Sequence, residues 1–313
     1  MSREEIWSTC AKPSRLRPGD TIAIPAPAGP LPPDKFRAGL DVLGSRYRVV
    51  YDEGVFSRSG FLAGSDERRA EELNRYFRDP DVRAILCARG GYGTMRILPL
   101  LDAGALSRDP KPVVGFSDLT ALLSFCVQDA GIRPIHGPTI TQLSELPVED
   151  VAWLFRVLED PGALGRLPGQ LRAIGPQALG AVEGPLYGGN LELVSRLQGT
   201  PWALDLRGTV LFIEDVGERP YRIDRGLTQL DLSGALRATR AVLLGDLTRC
   251  LEPDGSPPTA EQVFDERMLA FGRSGLAGLP VGHGARNVAL PIGCNCVVDF
   301  DRSSVTLEES AVG

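Results

Sequence analysis

The chain has 313 residues, 43% of them hydrophobic and 24% charged, which is typical of about two globular domains. Its net charge of −6 and pI near 5.2 disfavour a nucleic-acid partner, which requires a basic face. Residues 1–17 lack the apolar run of a secretory signal, and no apolar stretch reaches about 18 residues, so we expect a cytoplasmic protein without a membrane partner.

Strands and helices alternate in the first half of the chain. Apolar runs predict strands over residues 21–25, 48–51, 82–88, 111–116 and 133–136. Helical spacing and capping signals predict helices over residues 34–43, 65–78 and 118–128. This alternation is typical of right-handed βαβ crossovers. We therefore expect residues 1–160 to form a parallel-sheet α/β domain of the flavodoxin or Rossmann type.

Residues 161–180 are rich in glycine and proline and show no periodicity, which predicts a linker. Beyond it, residues 181–187, 209–216 and 241–247 are apolar runs that predict strands. A terminal hairpin is predicted around residues 301–303. Residues 181–313 should therefore form a second, mixed α/β domain with more antiparallel strand content.

Ser117 lies in the segment Gly-Phe-Ser-Asp, between a predicted strand and a predicted helix. A serine on such a turn presents its hydroxyl above the sheet, where the next backbone N–H can bind an oxyanion. Leu119 stands where the usual nucleophile elbow has glycine. Taken alone, Ser117 fits a helix N-cap better than a nucleophile.

A glycine-rich loop, Ala-Arg-Gly-Gly-Tyr-Gly, begins at Ala88 directly after a predicted strand. Gly90 and Gly91 would allow a close approach of the backbone to a ligand. The loop is compatible with a tight turn, a phosphate cradle or an oxyanion donor. It is not a GxGxxG fingerprint and lacks the lysine of a phosphate-binding loop, which disfavours a nicotinamide-dependent oxidoreductase.

The chain has two histidines, His136 and His283, and either is a candidate general base or a structural residue. Glu214 and Asp215 end the strong apolar strand over residues 209–216. A buried acid there could orient an imidazole, although a loop cap or a salt bridge is also compatible. Cysteine and histidine spacing predicts no metal site, and the six scattered cysteines are expected as reduced thiols.

Taken together, seven segments occur in an order that resembles the LD-carboxypeptidase family of serine peptidases. They are ARGGYG, VGFSDLTALL, HGP, GGNLELVSRLQGT, LFIEDVGERPYRIDR, GDLTRC and VGHG. The family includes muramoyl-tetrapeptide carboxypeptidases and microcin C self-immunity enzymes. The resemblance extends from about Arg17 to Glu308, nearly the whole chain. One departure is Ala28, in APAGP, where APSGP would be expected.

The resemblance implies a catalytic triad, with Ser117 as nucleophile, Glu214 as orienting acid and His283 as base. It implies that these residues come from both domains, that no metal or organic cofactor takes part, and that the chain forms a homodimer. The implied substrate is a small peptide cut at an L-to-D bond near its free C-terminus. A microcin-like peptidyl-nucleotide is the alternative substrate, and a non-catalytic binding protein is the rival from another class.

The resemblance also implies an oxyanion hole, formed by the backbone N–H groups of Gly91 and Asp118. Arg89, beside Gly90, is a candidate partner for the terminal carboxylate of a substrate, because a buried carboxylate needs a cationic or hydrogen-bonding partner. A solvated or interface-facing Arg89 fits the sequence equally well.

Overall fold

The structure, a computed structural model, describes residues 10–313. The first nine residues, part of the segment tested above for a secretory signal, lie outside the described residues. The described chain divides into two compact units. The first unit comprises residues 10–161, Ala289–Pro291 and Ala311–Gly313, and the second comprises Gly162–Val288 and Ile292–Ser310.

The strands are numbered in chain order. They are β1 (Thr21–Ala23), β2 (Arg48–Val50), β3 (Val82–Leu86), β4 (Val113–Gly115), β5 (Ile135–His136), β6 (Gly165–Arg166), β7 (Arg172–Ile174), β8 (Ala181–Asn190), β9 (Val210–Val216), β10 (Ala241–Thr248), β11 (Gly275–Ala277), β12 (Leu290–Pro291), β13 (Asn295–Asp299) and β14 (Ser304–Leu307).

The α-helices are numbered in the same way. They are α1 (Pro33–Gly44), α2 (Asp66–Arg78), α3 (Thr94–Ile97), α4 (Ala103–Arg108), α5 (Thr120–Gln128), α6 (Ile140–Leu143), α7 (Val148–Glu159), α8 (Leu191–Arg196), α9 (Pro220–Leu232) and α10 (Ala260–Ala270). None of the helices in the described part of the chain is long and apolar enough to cross a membrane.

The first unit contains a six-stranded sheet with the order β12-β5-β4-β3-β1-β2. All of its pairs are parallel except the edge pair of β12 with β5. The predicted parallel α/β fold is therefore confirmed. Because β4, β3 and β1 are neighbours and run parallel, the loops that follow them meet at one edge of the sheet.

Helix α2 shows how local sequence sets these elements. The Ser65 hydroxyl accepts a hydrogen bond from the Arg68 N–H at 3.2 Å, and Asp66 and Glu67 occupy the first turn, where they suit the helix dipole. The helix ends at Arg78, just before Asp79-Pro80. The predicted N-cap and end of this helix are both confirmed.

The second unit contains an eight-stranded mixed sheet with the order β6-β14-β13-β8-β9-β10-β11-β7. Strands β8 to β11 are parallel, and antiparallel pairs flank them on both sides. The predicted mixed fold, with its terminal hairpin β13–β14, is therefore confirmed. The segment 161–180 carries β6 and β7, which form the two edges of this sheet and are too short to show a period.

The adjacent inner strands β9 and β10 carry the acidic residues Glu214 and Asp246 near their C-terminal ends. Strand β9 lies between β8 and β10, and Asn190 is the partner of Glu214 in the β8–β9 register. Along β10 the register with β9 shifts between Leu244 and Leu247. This irregularity takes Gly245 and Asp246 out of the regular ladder, as a bulge does when it redirects a side chain.

Candidate active site

Ser117 stands on a sharp turn at the end of β4. Phe116 is extended, and Ser117 then adopts a φ of 65°, a left-handed conformation that is uncommon outside glycine. A short 3-10 turn over Ser117–Leu119 leads into α5. Phe116, not Ser117, occupies the N-cap position of that turn, so the capping interpretation of Ser117 fails. The backbone instead has the strand-turn-helix geometry of a nucleophile elbow.

The glycine-rich loop after β3 lies against this turn. A Cβ atom added to Gly90 would lie 2.9 Å from the Ser117 Cβ and 3.2 Å from its Oγ, so the close approach requires glycine. The carbonyl of Gly90 accepts a hydrogen bond from the N–H of Gly29, in the loop after β1, at 3.1 Å. The glycine-rich loop therefore packs against both the Ser117 turn and the loop after β1.

Two backbone N–H groups are expected to bind the oxyanion. One belongs to Asp118, which follows Ser117 in sequence, and the other to Gly91, on the glycine-rich loop. Among the described residues, neither the Gly91 N–H nor the Asp118 N–H donates to another protein group. Gly91 has a φ of 116°, which orients this part of the loop. Arg89 is exposed and donates a hydrogen bond to the carbonyl of Pro30, also in the loop after β1. Its guanidinium thus has a protein partner already.

The side chain of Asp118 has a role that the sequence did not indicate. It is buried, and its Oδ2 accepts hydrogen bonds from the Thr94 N–H at 2.8 Å and the Thr94 hydroxyl at 2.6 Å. Thr94 begins α3, directly after the glycine-rich loop. Burial raises the pKa of Asp118, while the Thr94 bonds oppose that shift. Asp118 therefore ties the serine turn to the glycine-rich loop.

Arg69 and Glu72, both on the buried face of α2, form hydrogen bonds with the loops that follow β1 and β3. The fully buried Arg69 donates to the carbonyls of Pro27 and of Gly93, the latter at 2.9 Å. Glu72 accepts the N–H of Ala26 at 2.8 Å, and burial raises its pKa. Sequence reasoning missed both residues. In the sequence, they could be recognised as charged residues on the helix face that also carries Leu73 and other apolar residues.

In the second unit, Glu214 and His283 come together. Glu214 is fully buried near the end of β9, and its Oε2 lies 2.7 Å from Nδ1 of His283. The imidazole remains 18% exposed, whereas the carboxylate has no exposure. The other oxygen, Oε1, has no partner among the described residues. A buried carboxylate on Nδ1 favours the tautomer in which Nε2 can accept a proton.

Glycines on both sides of His283 allow this contact. A Cβ added to Gly282 would lie 2.8 Å from the Glu214 Oε2, and one added to Gly284 would lie 2.1 Å from an Asp246 oxygen. The Asn287 side chain accepts the Gly282 N–H at 3.1 Å and fixes the loop. The Gly-His-Gly sequence therefore reflects close packing against two carboxylates.

Asp215, the neighbour of Glu214, faces a different set of groups. Its carboxylate accepts hydrogen bonds from the Asn190 amide at 2.9 Å, the Glu192 N–H at 3.1 Å and the Val216 N–H at 2.8 Å. Burial, and secondarily the charge of Glu214, raise the pKa of Asp215 to about 7. Asp215 is therefore a structural acid that holds the start of α8. In the described part of the chain, neither Glu214 nor Asp215 pairs with Arg219 or Arg222, the salt bridge that the sequence allowed; Arg222 pairs with Glu218.

His136 is fully buried in β5, with its ring packed edge-on against Phe116 at 6.0 Å between ring centres. This environment supports a structural role for His136.

Ala28 is also fully buried, and its carbonyl accepts the Ala63 N–H at 2.9 Å. All six cysteines are buried free thiols. The described part of the chain holds no cluster of three or more metal-ligating side chains.

Comparison with known proteins places this architecture in a family. Residues 22–137 match the LD-carboxypeptidase N-terminal domain, and residues 183–298 match the LD-carboxypeptidase C-terminal domain. A murein tetrapeptide carboxypeptidase of Pseudomonas aeruginosa is 37% identical over 290 residues, which cover 90% of this chain and 94% of the relative.

Two further relatives extend the comparison. The crystal structure of a muramoyltetrapeptide carboxypeptidase from Oxalobacter formigenes has a TM-score of 0.78 at 29% identity, covering 93% of this chain and 98% of that one. The microcin C7 self-immunity protein MccF of Escherichia coli is 26% identical over 329 residues, which cover 94% of each chain. On the two domain matches and the full-length relatives, this chain belongs to the LD-carboxypeptidase family of serine peptidases.

Proposed function

We propose that this chain is a serine carboxypeptidase whose triad consists of Ser117, His283 and Glu214. The observation that carries the proposal is the 2.7 Å contact between the buried Glu214 carboxylate and Nδ1 of His283. An acid in this position orients an imidazole and stabilises its protonated form. The left-handed turn at Ser117 supports the same assignment, since it is the backbone of a nucleophile elbow.

In the proposed acylation step, Ser117 Oγ attacks the scissile carbonyl carbon while Nε2 of His283 takes the hydroxyl proton. The N–H groups of Asp118 and Gly91 stabilise the oxyanion of the tetrahedral intermediate. The intermediate collapses, the C–N bond breaks, and His283 returns the proton to the leaving amine. Water then hydrolyses the acyl-enzyme by the same sequence of proton transfers, which regenerates Ser117.

The proposed substrate is a small murein-type peptide, cut at the L-to-D bond that releases a C-terminal D-amino acid. The full-length relative at 37% identity is named for murein tetrapeptide, which favours this class. Arg89 and Gly90 are the proposed contacts for the terminal carboxylate. Because Arg89 already donates to Pro30, such a contact would use its remaining N–H groups.

A peptidyl-nucleotide amide is the second candidate substrate. The relationship to a microcin C7 self-immunity protein over 94% of both chains supports it, but at 26% identity instead of 37%. The same acyl-enzyme chemistry would release an amine from either substrate. We further propose a homodimer, as the resemblance implies, and a cytoplasmic location. Light scattering on the purified protein would test the first, and cell fractionation the second.

The test uses matched peptides that end in D-Ala or L-Ala, together with a peptidyl-adenylate. Misplacement of the carbonyl by about 1 Å can cost roughly a hundredfold in rate, so the D-Ala peptide should be cut at least tens of times faster. Mass spectrometry of the products gives kcat/KM for each substrate. A fluorophosphonate probe reacts with an activated serine, so it should label the wild type but not Ser117→Ala. A purely binding protein should not be labelled at all.

Each outcome has a distinct meaning. Equal rates for the two peptides, or faster cleavage of L-Ala, would remove the LD specificity and leave the serine hydrolase. Exclusive cleavage of the adenylate would make the second candidate the function. Probe labelling that persists in Ser117→Ala would show that another residue is the nucleophile.

A further inference from the structure

Asp246 is a carboxylate near His283 that the triad does not use. It lies in the irregular part of β10, where the register with β9 shifts between Leu244 and Leu247. Its own N–H donates to the carbonyl of Val281 at 2.9 Å, which joins this irregular segment to the loop that carries His283. A Cβ added to Gly245 would lie 2.5 Å from the same carbonyl, so the two segments are tightly packed.

The side chain of Asp246 reaches the residue that follows the histidine. The Gly284 N–H donates to the Asp246 carboxylate, and any side chain at position 284 would meet an Asp246 oxygen at 2.1 Å. His283 is therefore held between two acids on neighbouring parallel strands: Glu214 of β9 bonds its ring, and Asp246 of β10 bonds the backbone next to it.

We propose that Asp246 is a second positioning acid for the catalytic base, fixing the His283 loop through Gly284 and stabilising the imidazolium by its charge. This inference rests on the proposed role of His283. Asp246 does not touch the reacting atoms in this proposal, and it acts through the loop and the ring.

Asp246, Glu214 and His283 interact electrostatically at this point in the second unit. Burial raises the pKa of Asp246 and so does the nearby charge of Glu214, whereas the Gly284 N–H and the charge of His283 lower it. The interaction is mutual, since a carboxylate that is stabilised by an imidazolium also stabilises that imidazolium. Removing the charge of Asp246 should therefore make the imidazole easier to deprotonate and weaken its support in the transition state.

The decisive variant is Asp246→Asn, because its amide oxygen can still accept the Gly284 N–H while the charge is lost. With only two histidines in the chain, NMR titration can follow His283 directly, and the fully buried His136 serves as an internal reference. The midpoint of the His283 titration should move to lower pH by at least about 0.3 unit. The acid limb of kcat/KM should move in the same direction.

The kinetic arm separates positioning from substrate binding. Asp246→Asn should lower kcat at least about twofold with a smaller change in KM, because each 0.3 unit of lost imidazolium stabilisation is a factor of about two in rate. Gly284→Ala should lower kcat as well, since the added Cβ displaces the loop. Asp301→Asn is the matched control: the turn between β13 and β14 lies at the opposite end of β8 from Asn190 and Glu214.

An unchanged NMR midpoint in Asp246→Asn would overturn the electrostatic role, and an unchanged kcat would overturn the positioning role. A shift of similar size in Asp301→Asn would do the same, because it would make the effect a general one of net charge. The NMR arm does not depend on hydrolysis. Its result therefore stands apart from the Ser117→Ala test, whose failure would remove the proposed triad itself.

Discussion

Replacing Glu214 with glutamine removes one charge from a fully buried side chain and preserves its shape. Two amide orientations are available. If the amide oxygen faces Nδ1 of His283, the amide N–H₂ occupies the site of Oε1, which has no hydrogen-bond partner among the described residues. If the N–H₂ faces Nδ1, the ring must carry its proton on Nε2 and cannot act as a base. Both orientations weaken catalysis.

The magnitude follows from the geometry. At the 2.7 Å separation of Glu214 and His283, Coulomb's law with an effective dielectric constant of about 20 gives an attraction of about 6 kcal/mol in the charged state. Desolvation offsets part of this, and losing one partner of a buried pair typically costs about 3–5 kcal/mol. At about 1.4 kcal/mol per decade, kcat should fall by roughly 100- to 10,000-fold.

The assay is steady-state hydrolysis of the peptide ending in D-Ala, measured from pH 5 to 9. Glu214→Gln should lower kcat with little change in KM, because the lost interaction is strongest when the imidazole is protonated in the transition state. Glu183→Gln, an exposed substitution on β8 of the same sheet, is the matched control and should behave as wild type. Circular dichroism and thermal melts establish that each variant is folded.

A folded Glu214→Gln enzyme that keeps more than about a third of the wild-type kcat would refute this reasoning, because a buried charged partner cannot be worth so little. A large rise in KM with kcat unchanged would also contradict it. That result would make Glu214 a substrate contact instead of the acid that orients the base.

Three further outcomes are expected. His136→Gln should keep measurable activity, since His136 is buried against Phe116; loss as deep as that of His283→Ala, with normal stability, would exchange their roles. Arg69→Met should lower the unfolding free energy by about 3–5 kcal/mol, because two buried carbonyls lose their hydrogen-bond donor. Denaturant melts measure this loss, and Arg96→Met, which removes an exposed ion pair, is the control with an expected loss of about 1 kcal/mol or less. Because the folded pKa of Asp215 is raised to about 7, its ionisation costs stability, so the unfolding free energy of wild type relative to Asp215→Asn should fall as pH rises from about 4 through 7; a flat difference would contradict the assignment.

Local sequence was sufficient for the elements that depend on neighbouring residues. The Ser65 cap and the apolar face of α2 lie within a few residues of one another, and periodicity detects such patterns. The alternation of strands and helices similarly predicted the parallel sheet of the first unit. The edge strands β6 and β7 escaped detection because strands of two or three residues carry no period and depend on pairing partners distant in sequence.

The residues that support the site were less accessible. Arg69 looks in sequence like any surface arginine of a charged helix, and only packing shows that its guanidinium is buried against two loop carbonyls. Asp118 was predicted for its backbone N–H alone. The partner of its carboxylate, Thr94, lies 24 residues away on a neighbouring loop, and that proximity arises from the order of strands in the sheet.

The sequence by itself determined the family, the two-domain α/β class and the candidate chemistry, because ordered motifs and element periodicity are local properties that a single chain displays. The pattern of residues alone left open which of the adjacent acids Glu214 and Asp215 faces a histidine, although the resemblance implied Glu214. Successive residues of a strand point to opposite faces of the sheet, so the pairing of β9 decides which acid faces which group. The tertiary structure directs Asp215 to Asn190 and brings Glu214 within 2.7 Å of His283, 69 residues further along the chain.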